Sequence, residues 1–202
     1  MRKLPLFIVP ACSLFIYSFA IAGSLDVFFN TWHGYVLYDN PSGNDSSGFA
    51  VLSSPDGRIL VAGQQKRNRE SDALIVRCTP TGEMDPEFGR DGMVLYGSRS
   101  HSEEGVALAA GKEHTLYVAG GVSYQGRLSS LIVKFDSNGR QLQKWSFAGM
   151  GGVPVGQSAF NLATDIAVQQ DGKPVVCGWA EMDTAFQRNT VLYTLRLFLR
   201  EP

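Results

Sequence analysis

Histidine and cysteine are scarce in this chain, at three each among 202 residues, and their placement removes most metal and thiol chemistry. His101 precedes an extended stretch and His114 follows it. At about 3.3 Å per residue, the chain between them keeps the two rings too far apart to share a metal. His33 lies in a different part of the sequence, so all three read as solvated loop histidines. No C-x-x-C pair occurs. Cys12 falls in the N-terminal apolar run, and Cys78 and Cys177 stand at non-equivalent places and read as buried apolar thiols rather than a disulfide. Catalytic signatures are also missing. Gly156-Gln157-Ser158-Ala159-Phe160 lacks the second glycine of a nucleophile elbow. Around Gly111-Lys112 the glycine spacing of a phosphate loop is one residue too long, and Glu113 stands where a magnesium-binding Ser or Thr belongs. Charge is low and balanced, with a formal net charge of −1, so there is no electrostatic footprint for nucleic acid. Sustained helical periodicity is absent as well.

Glycine, by contrast, is abundant at 22 residues, and much of it recurs at fixed intervals. Residues 55–63 read PDGRILVAG, residues 111–120 GKEHTLYVAG and residues 170–178 QDGKPVVCG. The small-residue–glycine steps that end them, at Gly63, Gly120 and Gly178, are 57 and 58 residues apart. Residues 73–82, ALIVRCTPTG, return as SLIVKFDSNG at 130–139, ending on Gly82 and Gly139. Two linkers also correspond. Residues 23–38 (GSLDVFFNTWHGYVLY) and 82–96 (GEMDPEFGRDGMVLY) share an Asp, a Phe and a terminal V-L-Y. A period of this length marks a repeat architecture. The units run approximately 23–81, 82–138 and 139–202.

Each unit reads as four strands, placed in the first at about 35–39, 49–53, 58–63 and 73–79. Pro55-Asp56-Gly57 and its third-unit counterpart Asp171-Gly172 are tight-turn signals, supplying a preset φ, a local cap and positive φ. The glycines at 63, 82, 120, 139 and 178 are assigned to structural turns too. Ile59-Leu60-Val61-Ala62 is apolar on both alternating faces, which predicts a strand covered on both sides, whereas Arg77 marks a position nearer solvent. The fold class expected is all-β: three four-stranded antiparallel units of a β-propeller-like array. Propellers typically close with four or more blades. The spare end faces therefore predict a protein partner or self-association, for instance two chains forming a six-bladed ring.

Residues 1–22 are set apart from this array. Arg2 and Lys3 precede an uncharged run, and Ala20-Ile21-Ala22 is a small-x-small cleavage pattern, so the segment reads as a signal peptide. An uncleaved anchor is the rival, opposed by Pro5 and Pro10; Cys12 leaves a weak lipobox as a third reading. Without Arg2 and Lys3 the 18 Lys+Arg fall to 16 against 19 Asp+Glu, a net charge of −3. The mature domain, 23–202, is expected to be exported to the periplasm, cell surface or exterior, with no stable membrane span after cleavage.

Residues 39–48, DNPSGNDSSG, form the most polar loop, and Asp39, Asn40, Asn44 and Asp45 are its weak candidates for a hard-cation site. Their spacing is not that of an EF-hand, and a polar hairpin loop accounts for them without a metal. Asn44-Asp45-Ser46 is also a formal glycosylation sequon. Trp32, Trp145 and Trp179 are candidates for glycan stacking, or for packing between units. No cofactor is implied, and a small-molecule or glycan ligand stays open.

The G-S-L-D at residues 23–26, PDGRILVAG at 55–63, D-P-E-F-G at 85–89 and Asp171-Gly172-Lys173 together resemble the bacterial delta-60 repeat family. The resemblance spans residues 23–202 and is weakest in the third unit, where QLQKWSFAG replaces the linker form. It implies a propeller-like repeat in a secreted or surface protein, and no catalytic residue. The function expected is a non-enzymatic binding or assembly module. Two alternatives stay open: a secreted carbohydrate-active enzyme using loop acids such as Asp45 or Asp165, or a fragment of a longer surface propeller.

Overall fold

The computed structural model describes residues 25–38, 44–98, 100–147, 160–183 and 188–197. The residues expected to form the signal peptide lie outside these, as do Asp39 and Asn40. The described residues are all-β, with one 3-10 turn at Lys112–His114. Strands β1 (Ser46–Ser53), β2 (Ile59–Arg67), β3 (Glu70–Cys78) and β4 (Met93–Tyr96) form the first sheet in that order. Strands β5 (Ser102–Ala110), β6 (Leu116–Tyr124), β7 (Arg127–Phe135) and β8 (Gln141–Phe147) form the second. Strands β9 (Asn161–Val168), β10 (Pro174–Asp183) and β11 (Arg188–Arg196) form a third sheet of three strands. Every ladder within these sheets is antiparallel.

The sheets stack face to face. Leu60, Ala62 and Ile75 of the first meet Leu116, Val118, Leu131 and Val133 of the second, with Phe88 and Phe135 closing the layer. Tyr117, Ala119 and Ile132 of the second meet Ala163, Ile166 and Val176 of the third. Apolar side chains on both faces of β6 therefore go to two different cores, because successive side chains alternate. A third cluster, Leu74, Val76 and Cys78, lies on the other face of the first sheet and is covered by Val36 and Tyr38.

The sheets group the strands one step out of phase with the sequence units. The V-L-Y of residues 94–96 is not the opening strand of the second unit; β4 closes the first sheet by pairing with β3. The matching residues 36–38 form no strand. In the same way residues 141–147 close the second sheet as β8. Three four-stranded units were expected; the sheets have four, four and three strands among the described residues.

The three repeated glycines are also corrected. Gly63, Gly120 and Gly178 do not end their strands in turns; β2, β6 and β10 run straight through them. Each lies opposite a β-bulge in the preceding strand, at Gly48/Ala50, Gly105/Ala107 and the register shift at Cys177/Gly178. There the partner backbone is pushed inward. A Cβ on Gly63 would overlap the Ser47 carbonyl oxygen, one on Gly120 that of Glu104, and one on Gly178 that of Leu162.

Candidate functional site

The turns between β1 and β2 and between β5 and β6 lie at one rim of the sheet stack. With the turn after β7 they enclose a cleft of about 510 Å³, lined by Asp56, Arg58, Arg77, Glu87, Glu113, His114, Asp136, Ser137 and Asn138 among others. The turn at Pro55-Asp56-Gly57 has Gly57 at φ +81°, and Gly172 of the third sheet sits at +91° in the matching turn. The Ser54 amide donates to the Arg58 carbonyl across the first, and the Gln169 amide to the Lys173 carbonyl across the last.

Two of the lining residues, Arg58 and Arg77, converge on the buried Asp85. Its Oδ2 accepts hydrogen bonds from Arg58 Nε at 2.8 Å and Arg77 Nε at 2.9 Å, and its Oδ1 accepts one from the Glu87 amide at 3.1 Å. Arg77 is buried rather than facing solvent as expected. Its guanidinium lies 4.7 Å from the Phe88 ring centroid and donates to the Ser137 carbonyl of the second sheet. A buried cation is tolerated here because it is both paired and hydrogen-bonded. Burial alone raises the pKa of Asp85; the hydrogen bonds from Arg58 and the Glu87 amide, with the charge of Arg77, outweigh it and hold the carboxyl below the usual range. Asp56, bonded to the Ser54 hydroxyl and to the Arg58 amide and guanidinium, is lowered to about 2. Arg58 is raised in turn by Asp85 and Asp56.

These acids are fixed as anions, and general acid catalysis needs a carboxyl that holds a proton near the working pH. The cluster is built as a clasp between sheets, with a polar rim above it. The recurring linker Asp, together with an Arg directly after the Asp-Gly turn, was the signal in the sequence. What it lacked was the cross-sheet register that brings Arg77 beside both.

Most other candidate residues are dispersed. Asp45 is exposed and ion-paired with Lys66 at 2.7 Å, at the start of the first sheet, and Asn44 beside it is also partnered. Asp165 is exposed on β9 of the third sheet, where its carboxylate accepts the Ile166 amide. No group of three or more His, Cys, Asp or Glu suited to a metal occurs among the described residues. Trp32 is exposed in the 25–38 segment, whereas Trp145 stacks on Tyr117 at 6.4 Å and packs against the core between the second and third sheets; Trp179 lies on β10. They are placed on the 25–38 segment, the second sheet and the third sheet respectively. Both Cys78 and Cys177 are free thiols. The Gly82 and Gly139 turns have φ of +88° and +80°, and each is capped by a linker phenylalanine, Phe29 and Phe88 respectively.

At the opposite rim Asp72 and Glu103 are buried, and burial raises both pKa values. Arg67 Nη2 lies 3.0 Å from Asp72 Oδ1, but the guanidinium directs its hydrogen bond to the Ser98 carbonyl. The pair is thus coulombic only, and Asp72 Oδ1 is left without a hydrogen bond.

Residues 54–88 match the family described as a domain of unknown function (DUF5122) beta-propeller. That segment spans the Asp56 turn, β2, β3 and the Asp85 linker. This match supports a β-propeller-like fold, of which the three sheets would be the blades. No curated protein matches the chain. Among solved structures, the native Bacillus subtilis arabinanase Arb43A is similar over 76% of this chain and 50% of its own, at 14% identity and a TM-score of 0.44. The chain thus spans half the length of that structure. No helix among the described residues is long and apolar enough to cross a membrane.

Proposed function

We propose that this chain is an exported, non-enzymatic β-propeller repeat protein of the delta-60 type that works as a binding or assembly module. One observation carries the reading: the segment laid over the outer face of the first blade, with the neighbouring β1, exposes apolar side chains. Leu25, Val27, Phe28, Trp32, Leu37, Phe49 and Val51 are all exposed on the 25–38 segment and β1, with Leu37 79% and Val51 72% accessible. Exposed apolar side chains concentrated on one segment and the strand after it support an interaction site. Asp56 in the rim cleft and the buried Asp85 support the same reading, since both are held ionised by structural partners.

Export rests on Arg2, Lys3, the uncharged run after them and Ala20-Ile21-Ala22; N-terminal sequencing of the secreted protein is expected to begin at Gly23. Light scattering and apolar-dye binding test the module reading. Association, or strong dye binding by a folded chain, is expected. A folded monomer that binds no dye overturns it.

A further inference from the structure

The linker before β1 repeats several backbone contacts of the linker between the first two blades. Asp26 accepts the Phe28 amide as Asp85 accepts that of Glu87. The Asn30 amide donates to Thr81 O at 2.7 Å as the Gly89 amide donates to Asn138 O at 2.8 Å. Gly34 and Gly92 hold positive φ in matching turns, at +74° and +88°. Residues 25–38 therefore have the shape of an inter-blade linker. One side of that linker is seated on the first blade, and the other side faces solvent.

The cross-strand register gives the complementary face. Leu60 pairs with Arg77 in the first blade and Val175 with Arg196 in the third, so Arg196 is the structural equivalent of Arg77. Lys173 follows Asp171-Gly172 as Arg58 follows Asp56-Gly57, and both cations pair with the turn aspartate, at 2.6 Å and 2.5 Å. Arg196 also acts on Asp171. The third blade thus carries the cation pair that clasps Asp85 in the first blade, without its carboxylate. Asp26 is that carboxylate without its cations: it is exposed and forms no ion pair among the described residues. Apolar surface matches in the same way. Between the first two blades, Ala73 and Ile75 fill a space walled by Tyr96, Val118, Leu131 and Val133, leaving about 10 Å³. On the open face of the first blade the equivalent walls, Tyr38, Val61, Leu74 and Val76, surround about 160 Å³. The residue equivalent to Ala73 is Leu192, the most exposed large apolar side chain of those described, at 82%. It is larger than alanine, and it faces a larger space.

We propose that residues 25–38 of one copy complete the third blade of a second copy, with residues 36–38 as the fourth strand on the edge of β11, Asp26 between Lys173 and Arg196, and Leu192 in the 160 Å³ recess. Two such contacts related by a two-fold axis close a ring of six blades, within the range of propellers. This rests on the module reading above and names its partner.

The test is a charge swap on the full chain, followed by sedimentation equilibrium. The wild type forms a dimer. Asp26→Arg and Arg196→Glu, both on exposed side chains, each weaken it at least tenfold, since each homodimer then holds two like-charge contacts. An equimolar mixture of the two variants restores the dimer, because every contact in the mixed pair is again opposite in charge. Leu192→Asp weakens it without rescue. A wild-type monomer, or a dimer indifferent to both reversals, overturns the proposal. A monomer that still binds apolar dye, or an indifferent dimer, leaves the module reading standing; a folded monomer that binds none removes both.

Discussion

Asp85 Oδ2 lies 2.9 Å from Arg77 Nε, and this contact ties the linker between two blades to the strand it leaves and to the blade it enters. Arg77 reaches the Ser137 carbonyl of the second blade from the same guanidinium that holds Asp85. Removing the carboxylate strands a buried cation. Asp85→Asn is therefore expected to destabilise the chain by about 3 kcal/mol at pH 7, the scale for breaking one partner of a buried pair, read by urea unfolding. Because the folded-state pKa of Asp85 is depressed, its contribution is present above the ordinary carboxylate range and lost as pH falls through the folded value. The wild type should lose stability on acidification below about pH 4, and Asp85→Asn should flatten that slope.

Gly120 and Gly126 separate two uses of glycine in one strand pair. At Gly120 a Cβ would overlap the Glu104 carbonyl, so Gly120→Ala must displace the bulged strand. At Gly126 nothing lies within 4 Å, and only the φ of +74° opposes a side chain. Gly120→Ala is expected to cost about 3 kcal/mol, at the upper end for overpacking, and Gly126→Ala about 1 kcal/mol. Equal losses in chemical denaturation would show that the bulge contact is not the cause.

Much of this architecture was legible in advance. The period gave the three blades, and the apolar runs gave the inner strands. Two features were hidden. A glycine facing a bulge and a glycine in a turn look alike along a chain, so Gly63, Gly120 and Gly178 were misplaced until the register was known. The phase of the repeat was hidden too, because V-L-Y becomes a strand only where it pairs with an edge: residues 94–96 pair with β3, and residues 36–38 form no strand. The clasp at Asp85 was half visible, as a recurring Asp whose partners lie 27 and 8 residues earlier, in a turn and on β3.

The second and third blades meet through a polar pair. Ser130 Oγ and Tyr193 Oη are 2.5 Å apart, and the Ser130 amide donates to Asn161 Oδ1 at 2.7 Å, both contacts buried. Tyr193→Phe leaves the Ser130 hydroxyl buried without that partner and is expected to cost about 2 kcal/mol. The double variant Ser130→Ala/Tyr193→Phe should recover part of the loss, because no orphaned hydroxyl is left. A double-mutant cycle in urea measures the difference.

Glu103 titrates in the opposite sense to Asp85. It is 3% exposed, and burial raises its pKa above the ordinary glutamate value. The folded state then binds its proton more tightly than the unfolded chain does, so stability falls as pH rises from the unfolded value through the folded one. Asp72, also raised by burial, adds to this fall. Glu103→Gln keeps an acceptor for the Ser98 amide and carries no charge. It should make the chain more stable than the wild type at pH 7 and remove part of the decline above about pH 4.5. A thermal-melt series across pH that shows parallel curves for the two proteins would refute this.

His114 occupies the place that glycine holds in the other two blades. Gly57 and Gly172 are at φ +81° and +91°, where glycine is unstrained, whereas His114 is at +58° and Glu113 before it at +55°. Two consecutive left-handed residues with side chains each carry a steric cost. His114 is exposed, and its backbone rather than its ring makes the 3-10 turn. His114→Gly should therefore stabilise the chain by about 1 kcal/mol, tempered by the extra freedom glycine gives the unfolded state. If His114→Gly instead lowers stability, the imidazole holds a contact at the rim cleft that outweighs the strain of its backbone.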